Sequence, residues 1–410
     1  MLDLNTELYY ATINDAIKKT NSFWDERYKG FGPRAKLCLD IALFFNKNSF
    51  VARDGEWPCP WKYSIAPGFE MPKYDSKFSM NFEEVTNKSA LEIRDLIKRT
   101  DKRVAVYYSG GIDSTVCLIA LLKNLTPEEL KHIDLCLSSE SIIENPYLFV
   151  KHITRKFNIL DSAKIRYSEI EQAGNFAITC DQGDSVFGTE FGTHIYYNYR
   201  QLLQKVSPET RRKLENYYLK ISAAEVHYSE FADLLIAYFE HPRDPSFGRH
   251  FYEALVQNIK TASVPIHSLH DFFWWIIFNL KYMECALRSS IYYYGGTNYS
   301  KSINETIINW FNHENYQKWS MVNNNTGQKI RGSTAATYKW AAREYIQSYD
   351  KNDWFFRHKL KLSSLKPLIW RNEKFLEQPH IFGLTKNYEI LLFNEPGVFN
   401  FIFEKLQRFG

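Results

Sequence analysis

Residues 103–124 read RVAVYYSGGIDSTVCLIALLKN, and the reading of this stretch decides the fold. The run RVAVYY lacks the polar alternation of a half-exposed strand, so it predicts a strand over 103–108 buried on both faces. TVCLIALLKN is apolar along nearly its whole length and predicts a buried helix over 114–124. Between them stand two glycines, two hydroxyl residues and an acid. Glycine weakens a strand or helix, so a Gly-Gly pair at this junction implies close backbone approach by a ligand or a turn with positive φ. Where a strand hands over to a helix, unpaired N–H groups and the positive helix end face outward, and together they suit an anion such as phosphate.

The pattern continues outward from there. HIDLCLS (132–138) predicts a second strand, 145–157 a helix, and KIRYSEI (164–170) a third strand, followed by NFAIT and the loop TCDQGDSVFG (179–188). Strand and helix alternate, so the expected fold is α/β, with a parallel sheet wound right-handed. From about residue 195 the spacing turns mainly helical, with aromatic-rich segments at 228–240, 270–294, 303–320 and 335–349. Upstream, 81–99 has helical spacing, whereas 31–78 scatters Pro and Gly through short pieces and predicts a small irregular module. The expected divisions are residues 1–98 as that N-terminal module, 99–370 as the nucleotide domain with its helical half, and 371–410 as a C-terminal extension.

Composition narrows the class. Hydrophobic residues make up 45% and charged residues 24% of 410 residues, the balance of an ordinary globular protein. A net charge of +4 with no long basic run does not require a nucleic-acid partner. The six cysteines contain no CxxC pair, so a four-cysteine metal site is excluded on spacing. Acids at residues 3 and 7 argue against a signal peptide, and the most apolar stretch, 272–278, is too short to span a bilayer. The expectation is a reducing, cytoplasmic setting without a membrane partner, and a homo-oligomer is allowed.

In open parallel sheets, ligands bind beyond the carboxyl ends of the strands. Ser109, Gly110, Gly111, Asp113, Ser114 and Thr115 are therefore the candidate nucleotide-binding residues. An acid inside a phosphate loop repels its ligand unless a cation intervenes, which makes Asp113 a candidate Mg²⁺ ligand. Asp184 or Asp181 on the second loop is the partner expected for it, Asp184 being the one taken, although Asp184 also suits a turn or helix cap beside Gly183. Replacing Gly110 by valine is expected to block phosphate without unfolding the chain. HSLHD (267–271) spaces His267 and His270 as a metal pair would, but it also fits an ordinary helix cap.

SGGIDST resembles the SGGxDS motif of the PP-loop ATP pyrophosphatases, which cleave ATP to AMP and pyrophosphate. TCDQGDSVFG is similar to the SGEGADELFGG loop of the asparagine synthetase synthetic domain, with Gln182 and Ser185 where that loop has a glycine and an acid. YKWAAREYIQSYDKNDWFFRHKLKLSS resembles the same family's lysine-bearing stretch. The resemblance implies an ATP-dependent, AMP-forming ligase that adenylates a carboxylate and couples it to an amine or ammonia, with ATP and Mg²⁺ as cofactors. It places Asp181 and Lys359 in catalytic roles. The family's glutaminase requires a cysteine after the initiator Met, and residue 2 is leucine, so ammonia from glutamine is not expected. The partners implied are a small-molecule carboxylate and an amine donor, with a peptide or nucleic-acid acceptor also admitted. Two other readings stay open: a PP-loop enzyme modifying nucleobases, and a degenerate protein that binds ATP or AMP without turnover.

Overall fold

The computed structural model describes residues 52–57, 65, 68–154, 156–162, 165, 167–187, 206–212, 227–239, 246–283, 305–325 and 339–358. Five parallel strands form one sheet: β1 (Val104–Tyr107), β2 (Ile133–Leu137), β3 (Asn158–Asp161), β4 (Phe176–Thr179) and β5 (Ile307–Asn309), in the order β3-β2-β1-β4-β5. The register pairs Val104 with Ile133 on one side and with Phe176 on the other. β1 and β2 are buried along their whole length, because side chains of period two feed two separate cores. Val104 and Val106 join the main core, while Ala105 and Tyr107 pack with Cys136, Ile170, Ala177 and Ile307 on the opposite face. This is the α/β sheet expected from the sequence.

Three expectations are corrected. KIRYSEI is not a strand: the third strand is Asn158–Asp161, and Tyr167–Gln172 is a short helix. Among the described residues β3 is an edge strand paired only with β2, and it is partly exposed, so it has no apolar run to announce it. The helix predicted over 145–157 is present but shorter, α-helical at Pro146–Leu148 and continuing as a π-helix over Phe149–Ile153, so its bounds are corrected. The segment 303–320 contains β5, whose three residues are too few for any period, ahead of the helix Glu314–Asn325.

The helices around the sheet have clear local causes. α1 (Phe82–Thr100) starts at a reciprocal cap, in which Glu84 N donates to Asn81 Oδ1 (2.9 Å) and Asn81 N to Glu84 Oε2 (2.8 Å). It ends on Asp101 at φ 52°. Its apolar positions 82, 85, 90, 93 and 97 are buried at helical spacing against α2 (Ile112–Asn124). After β2 comes α3 (Ser139–Glu144), and after β4 the five-residue α4 (Gly183–Phe187). α5 (Leu269–Trp275) opens with the Ser268–Asp271 capping box, so that part of HSLHD is a helix cap; it continues into a π-helical segment, Ile276–Lys281. α6 (Glu314–Asn325) and α7 (Trp340–Asp350) complete the frame, α7 lying on α1 and α2.

At the amino ends of the strands Arg103 grips Asp134, and Asn158 Nδ2 donates to the same carboxylate (2.6 Å), which fastens β1, β2 and β3 together. Arg53 is buried and stacked over Tyr282, 3.6 Å from the ring centre. It donates to Phe69 O, Gln317 Oε1 and Phe278 O, and burial pulls its pKa down to about 10. The stretch 52–57 is thereby bound to the helical half. Among the described residues no helix is long and apolar enough to cross a membrane.

Candidate functional site

The loop after β1 is wired by its own two serines. Ser109 N and Ser109 Oγ both pair with Ser114 Oγ (3.1 and 3.0 Å), Ser114 Oγ donates to Gly111 O (3.2 Å), and Gly111 N donates to Ser109 Oγ (3.2 Å). A ligand oxygen would therefore meet the Gly111 amide where the Ser109 hydroxyl now accepts from it. Gly110 sits at φ +72°, and a Cβ there would lie 2.3 Å from Ser141 O and 2.8 Å from Glu144 Cβ. Backbone, not open crevice, faces that position. The Gly110→Val expectation is thus corrected: the glycine is required by packing of the loop on α3, and the substitution would disturb the fold itself. Gly111 is the position with room, since a Cβ there meets only Ser109 Oγ (3.0 Å) and Glu144 Oε2 (3.9 Å). Thr115 is wholly buried beside Tyr108, on the inner side of the loop.

The second loop leaves β4 next door, as the sheet order requires. Thr179 Oγ1 donates to Asn309 Oδ1 (2.9 Å), which ties the ends of β4 and β5. Gly183 N donates to Cys180 O (3.2 Å), and Ser185 N to Gln182 O (2.9 Å), so the chain turns at once into α4. Gly183 faces Asp113 so closely that a Cβ would come within 2.3 Å of Asp113 Cγ. The two loops are in direct contact through that glycine. Asp181 is half-buried at the start of the turn, while Gln182 and Ser185 are fully buried with no hydrogen bond to the Gln182 amide or the Ser185 hydroxyl. Burial pushes the Cys180 thiol well up, helped by neighbouring Cys117 and by Asp113 and Asp181, so Cys180 is a packed thiol rather than a nucleophile.

One cation joins the loops. Lys339, at the N-cap of α7, places Nζ 2.5 Å from Asp113 Oδ2 and 2.6 Å from Asp184 Oδ1. Its side chain is 7% exposed, against 21% for Asp113 and 28% for Asp184, so the pairs are shielded from above but reachable from the crevice. The ring of Phe187 lies 5.8 Å from the ammonium, and Phe187 is wedged among Phe82, Phe311 and Trp319. Asp113 and Asp184, some 70 residues apart, thus converge on a single point. Lys359 lies outside the described residues. Lys339 was missed by sequence reasoning, because one lysine among 51 Lys and Arg carries no tag. The available signal was its place immediately before the helical pattern WAAREYIQSYD, in the very stretch quoted for Lys359.

Among the described residues no group of three His, Cys, Asp or Glu side chains is arranged to hold a metal. Two carboxylates aimed at one cation do fit Mg²⁺, which takes one or two protein carboxylates and fills its remaining positions with water and phosphate oxygens. Compared with known proteins, the chain matches no family model, no curated protein and no solved structure.

Proposed function

We propose that the protein is an ATP-dependent, AMP-forming ligase of the PP-loop type. The observation that carries this reading is the convergence of Asp113 and Asp184 on Lys339 at the carboxyl ends of adjacent strands, beside a Gly-Gly loop. In this reading a substrate carboxylate attacks the α-phosphorus of ATP, the bond to the bridging oxygen breaks, and pyrophosphate leaves. An amine then attacks the acyl carbon, AMP departs, and the amine's proton passes to a base. The Gly111 amide and the hydroxyls of Ser109 and Ser114 bind phosphate oxygens. Lys339 is pre-placed where charge builds on the leaving group, in a shielded crevice where such charge is worth most. It takes the role that the resemblance gave to Lys359. Asp181, at the mouth of the second loop, orients the attacking amine and accepts its proton. Asp113 and Asp184 would hold Mg²⁺, which when bound supplies further compensation for the phosphate charge.

Pyrophosphate release from MgATP against a panel of carboxylates and amines tests the proposal. Asp113→Asn and Asp184→Asn should each lower turnover about a hundredfold, and the double change should cost little more, because groups acting as a unit are non-additive. Wild-type release from Asp184→Asn would remove that residue from the site and the ligase reading with it.

A further inference from the structure

Helix α7 is fastened at both ends. Its first end carries Lys339. Its last residue, Asp350, is wholly buried, with Oδ1 3.2 Å from His152 Nε2. Lys151 Nζ reaches the Asp350 carbonyl (3.4 Å), and the His152 ring packs 5.0 Å from that of Tyr349. Yet neither carboxylate oxygen of Asp350 makes a hydrogen bond. A buried carboxylate in that condition costs several kcal/mol, so its surroundings must supply partners.

They are close at hand. The Tyr108 hydroxyl neighbours Thr115 and Asn145, and its pKa is raised by burial first and then by the charges of Asp350 and Glu144. Tyr108 OH, Thr115 Oγ1, Asn145 Nδ2 and His152 Nε2 are all buried. Asn145 Oδ1 accepts from Leu148 N (3.3 Å), which leaves Nδ2 as the end that meets Tyr108.

We propose that Asp350 is a positioning residue. Its buried carboxylate held against His152, with the Tyr108 hydroxyl nearby, forms a buried knot that fixes α7 so that Lys339 stands between Asp113 and Asp184. Tyr108 and Thr115 bracket the loop that bears Asp113, so the knot ties the far end of α7 to the same loop its near end serves. The helix has 11 residues, about 16 Å at 1.5 Å per residue, and a shift at Asp350 is carried along that rod to the lysine. The inference rests on the ligase reading only for the importance of Lys339. Its geometry stands without it.

The test is amine acylation of the intact protein, with the modification of each lysine followed by mass spectrometry. Lys131, which pairs with Glu128 away from α7, is the internal control. Asp350→Ala and Tyr108→Phe should raise labelling of Lys339 about tenfold, as expected where local opening becomes easier, with Lys131 unchanged. Asp350→Asn, which keeps one acceptor oxygen, should raise it less. If the alanine variant does not fold, Tyr108→Phe and Asp350→Asn decide, since both preserve side-chain volume. Unchanged Lys339 labelling in folded variants would overturn the proposal. No nucleotide enters the experiment, so its outcome is independent of pyrophosphate release.

Discussion

Gly110→Ala and Gly111→Ala change neighbouring glycines of one loop by the same single methyl group, and the structure assigns them different costs. At Gly110 the new Cβ would stand 2.3 Å from a backbone oxygen, that of Ser141, at φ +72°. A left-handed residue with a Cβ costs about 1–2 kcal/mol, and forced overpacking about 1–3 kcal/mol more. The sum, about 2–5 kcal/mol, is a large share of a total stability of about 5–15 kcal/mol. At Gly111 the contacts are the ends of two side chains, Ser109 and Glu144, which can rotate away. There the loss is mainly that of a tolerated cap residue at the start of α2, about 1 kcal/mol. With a few degrees of melting temperature per kcal/mol for a chain of this size, calorimetry should show Gly110→Ala falling by about 5–15 °C and Gly111→Ala by about 2–4 °C. Gly111→Val, rather than any change at Gly110, is then the substitution that should weaken MgATP binding in a folded protein. A Gly110→Ala variant melting within a degree of wild type would refute the packing argument.

Three further outcomes follow from the same geometry. Gly183→Ala should melt lower than wild type and raise Lys339 acylation, because its Cβ would displace the Asp113 carboxylate; a melting temperature at or above wild type would show that the two loops are not in contact. Lys339→Met should cost about 2 kcal/mol, less than a fully buried pair because the carboxylates keep some water, and adding Asp184→Asn should recover part of the loss; chemical denaturation in which the double variant is the weaker would contradict the shared cation. Burial raises the pKa values of Tyr108, Tyr316 and Tyr345, and that of Tyr252 to about 12. Their folded values lie above the unfolded value near 10, so the stability they contribute is present below pH 10 and lost as pH rises through the folded values. Phenolate absorbance should therefore lag behind that of the denatured chain until alkaline unfolding, and coincident titrations would contradict their burial.

How much of this was legible in the sequence depended on how evenly each element is buried. β1 and β2 are covered on both faces, so VAVY and IDLCL announced themselves, and with them the loop that follows β1. β3 lies at the sheet edge, and NILD carries no period at all. β5 is three residues long and is recruited into the sheet by pairing with β4, a long-range event no local pattern records. The acids Asp113 and Asp184 were legible because each sits beside glycine in a loop at a strand end. Lys339 was not, because its role comes from where α7 lies on α1 and α2, and nothing within a few residues of it encodes that placement. The Asp350 cluster was invisible for the same reason, its members coming from four separate stretches.

The place of β5 in the chain has a consequence for biosynthesis. About 130 residues separate the end of β4 from the start of β5, and a ribosome adding about 5–20 residues per second needs on the order of ten seconds to make them. Throughout that interval β4 is the growing edge of a nascent sheet, with its ladder groups unpaired and open to other chains. The two acids of the crevice emerge before it ends, and their lysine follows only after another 30 residues or so. The nascent chain thus carries an unmatched pair of carboxylates and a bare strand edge until the helical half arrives to close both.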